Sequence, residues 1–150
     1  MPNRTMTERV RATLHRLETD RNVWIATTDQ HTARPHLIPL SLAWNGVQVI
    51  LATPSDSVTV NNLHGSAFAK LALDSADDVV LIDAKAEVVS IAAIRSETLD
   101  GYVQRVGWDP RLETAEMSMI FLTPWVVRAW NGVSEIEGRT IMRSGVWSSG

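Results

Sequence analysis

At 150 residues, with 14 Lys and Arg against 17 Asp and Glu, the chain carries a formal charge of −3 and has no basic footprint for nucleic acid. It contains no cysteine, which excludes disulfides, thiolate nucleophiles, zinc fingers and thiolate-ligated iron–sulfur clusters. No apolar run approaches the roughly 18–20 residues that cross a bilayer. Asn3, Arg4 and Thr5 stand where an apolar leader would, so one cytoplasmic domain with a real core is expected. Six tryptophans against one tyrosine and two phenylalanines suit cores, dimer interfaces and pockets for flat ligands.

Thr7 to about Glu18 is predicted helical: Thr7 can cap, Glu8 suits the first turn, and Val10, Leu14 and Leu17 share a face. Val23 to Thr28 is a short apolar strand, followed by a turn at Asp29-Gln30-His31-Thr32. His36 to Trp44 is a strand with His36, Ile38, Leu40, Leu42 and Trp44 on one face and Leu37, Pro39, Ser41 and Ala43 on the other. Pro39 cannot donate to a ladder and belongs at an edge or a bulge. Asn45-Gly46 predicts a type I′ turn into a partner strand, Val47 to Thr53.

The loop Thr53-Pro54-Ser55-Asp56-Ser57-Val58-Thr59 feeds a short helical segment containing Asn61-Asn62-Leu63. Such a strand-to-helix loop either holds a phosphate on free N–H groups and hydroxyls or is an ordinary N-cap. Ala67 to Leu73 is a strand. Asp78 to Ile91 is one long strand or a bent pair, with Asp83, Lys85 and Glu87 alternating against Ala84, Ala86 and Val88. Ser96 is expected to cap a helix that turns Leu99, Tyr102, Val103 and Val106 inward and stops at Gly107. Met119 to Trp130 is a last strand interrupted by Pro124, and Asn131-Gly132 marks a turn. The tail, with isolated Ile136, Ile141, Met142 and Trp147, is expected to pack against the body or a partner without forming an element. About six strands with three irregularly placed helices favour antiparallel strands closing into a barrel over a doubly wound parallel sheet. The dinucleotide, P-loop and nucleophile-elbow motifs are missing.

Few residues suggest acid–base or nucleophilic chemistry. No histidines lie at metal-ligand spacing; His15, His31 and His64 read as solvated. His36, opening a strand after Arg34-Pro35, is either a satisfied barrel residue or lines a pocket and donates to a ring or carbonyl. Asp77-Asp78 point to opposite faces and read as a turn; Glu113 and Glu116 read as a solvated face. Ser57 has no local base to make it a nucleophile. Lys70, between Ala69 and Leu71, either snorkels from an edge or reaches an anion.

Taken in order, WIATT (24–28), RPHLIPLSLAWNG (34–46), ILATPSDSVTVNNL (50–63), DVVLIDAKAEV (78–88) and the ending TPWVVRAWNGVSEIEGRTIMRSGVW resemble the pyridoxamine 5′-phosphate oxidase-like split β-barrel family. The nearer resemblance is to its actinobacterial flavin/deazaflavin-dependent oxidoreductase branch, and it covers Val23 to about Trp130. It implies a homodimer of six-stranded antiparallel split barrels, mainly β with flanking helices, with FMN or the deazaflavin F420 in a groove at the subunit interface. Carried over position by position, Arg34, His36, Leu37, Ile38 and Pro39 fall beside the ring and phosphate. Thr53, Ser57 and Thr59 fall at the phosphate, and Asn62 matches an Asn of the following helix. The chain also departs from the pattern. Many relatives carry lysine where Thr59 stands and arginine where Asn61 stands, and the oxidases proper have lysine where Pro39 stands. Arg34 remains of that basic set, with Lys70 as a helper. Vitamin B6 chemistry is not expected.

The resemblance thus implies one split-barrel domain over 1–150, with an N-terminal helix in 1–20, the barrel in 23–131 and a tail in 132–150. Its expected role is a cytoplasmic FMN- or F420-dependent oxidoreductase that moves hydride to or from a small unsaturated or quinone-like substrate. The cofactor would do the chemistry, with no catalytic side chain and no metal. Ser57, Thr59 and Asn62 would hold the phosphate or tail and His36 would make a polar contact near the ring. Trp44, Trp108, Trp125 and Trp130 are candidates for interface or substrate wall. The alternative is a non-catalytic dimeric carrier of flavin, F420, haem or fatty acid. Neither nucleic acid nor membrane is an expected partner.

Overall fold

The computed structural model describes residues 2–149, and side-chain alternation along its strands sets the arrangement. β1 (Asn22–Thr28) buries Val23, Ile25 and Thr27 and leaves Trp24, Ala26 and Thr28 on the outside. The next passage is β2 (Pro35–Ser41) and β3 (Ala43–Trp44), followed by β4 (Val49–Pro54). β5 (Phe68–Leu73) buries Ala69, Leu71 and Leu73, and β6 (Asp78–Ser90) buries Val80, Ile82 and Ala84. β7 (Met117–Asn131), β8 (Thr140–Arg143) and β9 (Val146–Trp147) complete the sheet.

All pairings are antiparallel, in the order β2–β1–β5–β6–β7–β4–β3, with β8 on β7 and β9 on β8. The expectation of six strands is corrected to nine segments, for two physical reasons. First, β2 and β3 are one passage broken at Leu42, which is fully buried and donates its N–H to Arg21 O at 2.9 Å. One half of that passage pairs with β1 and the other with β4, so it ties the two ends of the sheet together into a barrel. Second, the tail forms the hairpin β8–β9, with Ile141 and Met142 buried in the core, where no element was expected. The two strand prolines sit where the missing donor does no harm. Pro39 lies on β2, which among the described residues pairs with β1 alone and so leaves its other edge free. Pro124 lies at a register shift where Asp83 faces Val126 and Ala84 faces Pro124, so Trp125 bulges out between them.

Three helices close the surface. α1 (Met6–Thr19) buries Leu17 and packs Val10 and Leu14 against the main core. Its cap is Thr5 rather than Thr7. Thr5 Oγ1 accepts from Glu8 N at 3.1 Å, and the Glu8 carboxylate accepts from Thr5 N at 2.7 Å, a capping box. α2 (Val58–Gly65) plugs the barrel with Val60 and Leu63. α3 (Ser96–Val106) lays Leu99 and Tyr102 on a second apolar cluster with Ala43, Ile50, Ala52 and Met119. Arg95, not Ser96, occupies the cap position of α3, and Gly107 ends the helix in the left-handed conformation (φ 84°). Burial pushes the Tyr102 phenol up to about 12. The β3–β4 connection is also wider than a two-residue type I′ turn, which needs two positive φ values. Only Gly46 has one (94°), and Asn45 Oδ1 accepts from Val47 N and Gln48 N in an Asx turn.

The N-terminus is latched to the far end of β7. Glu135 accepts from Arg4 N at 2.8 Å, Arg4 Nη2 at 2.8 Å and Asn131 N at 2.7 Å. Arg9 Nη1 donates to Glu135 O and Gly138 O, both at 3.2 Å. The Arg4 guanidinium, above all, holds the Glu135 carboxyl down at about 2.

Candidate functional site

Directly opposed residues of antiparallel strands share a face, so the register assembles the outer surface of the barrel row by row. One row crosses five strands: Leu37, Ala26, Lys70, Asp83 and Val126. Pro35 and Thr28 form a neighbouring pair, and Phe68 faces Lys85 on the same side. Between these rows lies a cleft of about 420 Å³, walled by Pro35, Phe68 and Trp125 and floored by Ala26, Lys70 and Asp83. That volume lies within the range of small-molecule sites, roughly 300–1,000 Å³. A larger cleft, about 510 Å³, runs between α1 and Ser148–Ser149 and gathers no comparable aromatic walls.

Each wall has a local cause. The β1–β2 turn is fixed by the Asp29 carboxylate, which accepts from His31 N and Thr32 N at 2.8 and 2.9 Å, while Ala33 takes a left-handed φ of 59°. Those two N–H groups hold the Asp29 carboxyl below its usual range. The turn delivers Arg34 and Pro35 to the rim. On the other side, Trp125 is thrown outward by the bulge. The β8–β9 turn supports it from behind: Gly145 N donates to Trp125 O at 2.9 Å, and a Cβ on Gly145 would lie 3.8 Å from the indole. Phe68, Trp125 and Leu37 are 70, 58 and 58% exposed on this one face. At its centre Lys70 Nζ meets Asp83 Oδ1 at 3.1 Å, and Arg128 Nη1 donates to Asp83 Oδ2 at 3.2 Å.

The ten residues singled out from sequence are divided by this geometry into four groups. Leu37, Pro39 and Lys70 lie on the outer face, and Arg34 is exposed at its rim. His36 and Ile38 face inward, opposite Thr27 and Ile25. Thr53, Thr59 and Asn62 are buried: Asn62 Nδ2 donates to Thr27 Oγ1 at 3.1 Å, and Thr59 Oγ1 has no hydrogen-bond partner among the described residues. Ser57 is the cap of α2, its hydroxyl accepting from Val60 N at 3.2 Å. Of the four candidate tryptophans, Trp125 alone lines this cleft. Trp108 meets Tyr102 edge-to-face at 5.9 Å, Trp44 lies over the α3 side, and Trp130 stacks under Arg139 at 6.0 Å. Phe68 and Asp83 were missed. Phe68 shares the phase of Lys70 and Ala72, an outward phase in which a large aromatic is out of place in a solvated strand, and that was the available signal.

No protein-family model matches the sequence, and no curated protein matches it. Solved structures do match by shape. A pyridoxamine 5′-phosphate oxidase-related, FMN-binding protein from Nostoc punctiforme aligns with a TM-score of 0.57 at 13% identity, over 80% of this chain and 80% of that one. An F420 reductase aligns at 0.59 and 16% identity, over 74 and 91%. HutZ, the haem storage protein from Vibrio cholerae, aligns at 0.58 and 15% identity, over 77 and 90%. With a barrel closed by one split passage, plugged by the helix after β4 and matched along most of each of these chains, this protein has the pyridoxamine 5′-phosphate oxidase-like split β-barrel fold.

Proposed function

We propose that the chain binds the ring of a flavin-type cofactor, FMN or F420, in the outer-face cleft. It works there as a cytoplasmic homodimeric oxidoreductase of the flavin/deazaflavin-dependent type, on a small unsaturated or quinone-like substrate. The observation that carries this reading is the cleft itself: a flat apolar slot with aromatic walls and a single cation on its floor. The FMN-binding protein and the F420 reductase of the same fold support it. The ring portion of such a group fits: Phe68 and Trp125 offer faces for stacking, and Lys70 keeps two N–H donors beyond the one given to Asp83. The ring, when bound, supplies the hydride chemistry. The protein's part is to stack on the ring, donate to its edge from Lys70 and exclude water. Exclusion needs a cover. A second copy laid on the exposed Leu37, Phe68 and Trp125 provides it and buries a surface that water otherwise wets.

The test is titration of the purified protein with FMN and with F420, followed by tryptophan quenching and ring fluorescence, with sedimentation for the oligomeric state. Saturable binding of one ring per chain by a dimer is expected, with loss of both properties in Phe68→Asp. Absence of binding sinks the reading. The second reading is a carrier of flavin, F420, haem or fatty acid, favoured by the mutual pairing of Lys70 and Asp83, which leaves the cleft without a free acid or base. A bound ring that stays spectrally unchanged after a reductant and an electron acceptor are added decides for the carrier.

A further inference from the structure

The helix-start loop beside the barrel is rich in hydroxyls, and each of them is either buried or tied to a neighbour within the protein. Ser55 Oγ shares a 2.7 Å hydrogen bond with Ser118 Oγ, and its N–H donates to Glu116 O at 2.9 Å. Ser57 caps α2 with its hydroxyl and donates its N–H to Pro54 O at 3.0 Å. Thr53, Thr59 and Asn62 are at least nine-tenths buried. The one charged side chain that this loop exposes is acidic, Asp56, and Glu116, exposed just before β7, adds a second carboxylate beside Ser55. In the cleft the charged lining residues are Lys70 and Asp83, which pair with each other; counting Arg128, the triad keeps one positive charge. A terminal phosphate dianion needs several charge-assisted donors; the loop supplies no cation, and outside the triad the cations on this face are Arg34 at the rim and Lys85 opposite Phe68.

We infer that the cleft selects a flat ring for its carbonyl edge and without regard to a terminal phosphate. Lys70 reads that edge, and an uncharged ring compound binds as well as its phosphate ester. This inference rests on the ring-binding reading above and names the ligand class of that site. Lys70 is suited to the role because Asp83 fixes its ammonium at 3.1 Å on the cleft floor, so little side-chain freedom is lost when a carbonyl docks. Arg128 holds the other carboxylate oxygen and keeps Asp83 from rotating away.

The experiment compares riboflavin with FMN, the same ring without and with the phosphate, by fluorescence titration at about 0.05 M and 0.5 M salt, on the wild type and Lys70→Met. Lys70 is half-exposed, so the variant is expected to fold, and circular dichroism checks it. The expected result is that the two ligands bind within about threefold of each other, with no salt-dependent gap, and that Lys70→Met weakens both by the same factor, roughly five- to twentyfold. FMN binding more than about tenfold tighter, with the advantage lost at high salt, overturns the inference and leaves the ring-binding reading standing, with the phosphate set supplied across a dimer. Selective loss of FMN in Lys70→Met overturns it too, by making Lys70 a phosphate ligand. Failure of both ligands to bind overturns the ring-binding reading and the inference with it.

Discussion

Two carboxylates in this barrel each sit between two cations, and the two arrangements have opposite characters. Arg4–Glu135–Arg9 is closed: the Glu135 side chain is 3% exposed, and two backbone N–H groups complete its shell. Lys70–Asp83–Arg128 is open: its side chains are 51, 37 and 34% exposed, and no backbone group donates to Asp83 among the described residues. The difference comes from where the sequence places each carboxylate. Glu135 lies in a turn just past β7, where the chain reverses over the α1 start and presents N–H groups. Asp83 lies mid-strand, where its neighbours' N–H groups are committed to the ladder. A closed cluster is structural glue. An open one keeps donors to spare for a ligand.

The sharpest way to break the comparison is Glu135→Gln. It leaves two arginines, one of them buried, facing a neutral amide, and the expected loss is roughly 2–3 kcal/mol in denaturant melts. The same group predicts the pH response. Its carboxyl titrates at about 2 in the fold against 4.5 ordinarily. A depressed carboxyl contributes stability that is complete above the unfolded value and fades as pH falls toward the folded one. Stability should therefore decline between pH 4.5 and about 2, with a shallower slope in Glu135→Gln. Equal slopes in the two proteins would take this cluster out of the acid response.

How much of this was legible in the sequence divides along the same line. Strand faces were legible, because alternation is local: the split of His36, Ile38 and Leu40 from Leu37 and Pro39 is the one the barrel uses. The closing of β2 and β3 across one passage was not, since it depends on which distant strands, β1 and β4, claim each half. The β8–β9 hairpin was hidden in a tail whose apolar residues are too sparse to show a period. Hydroxyl burial in the loop after β4 was likewise invisible. Thr59 and Ser57 look alike as residues, and only the docking of α2 on β1 decides that one is sealed and the other caps.

The tail hairpin offers the next test. Gly145 has φ +76°, and its neighbourhood includes the Trp125 ring. Gly145→Ala costs about 1–2 kcal/mol of local backbone strain, felt in the β8–β9 turn more than in the core. Ring affinity should fall with it, because Trp125 loses its support. Trp125→Leu, which keeps the hairpin and removes the wall, should lower affinity without lowering the melting midpoint. A Gly145→Ala protein with unaltered affinity would show that Trp125 is held by its own bulge alone.

The smallest effect is expected at the open cluster. Asp83→Asn removes two ion pairs, yet each is half-exposed and screened, and exposed pairs contribute about 0.2–1 kcal/mol apiece. The dilute monomer should lose no more than about 1 kcal/mol, far less than Glu135→Gln loses. Concentration then sharpens the contrast. If a second copy covers this face, the triad becomes buried in the dimer, and breaking it leaves Lys70 and Arg128 as like charges out of water. The cost of Asp83→Asn should therefore grow with protein concentration, while the cost of Glu135→Gln stays constant. Melts at micromolar and at hundredfold higher concentration read both. A concentration-independent Asp83→Asn would mean that the outer face stays open to solvent, with any ligand held by one chain alone.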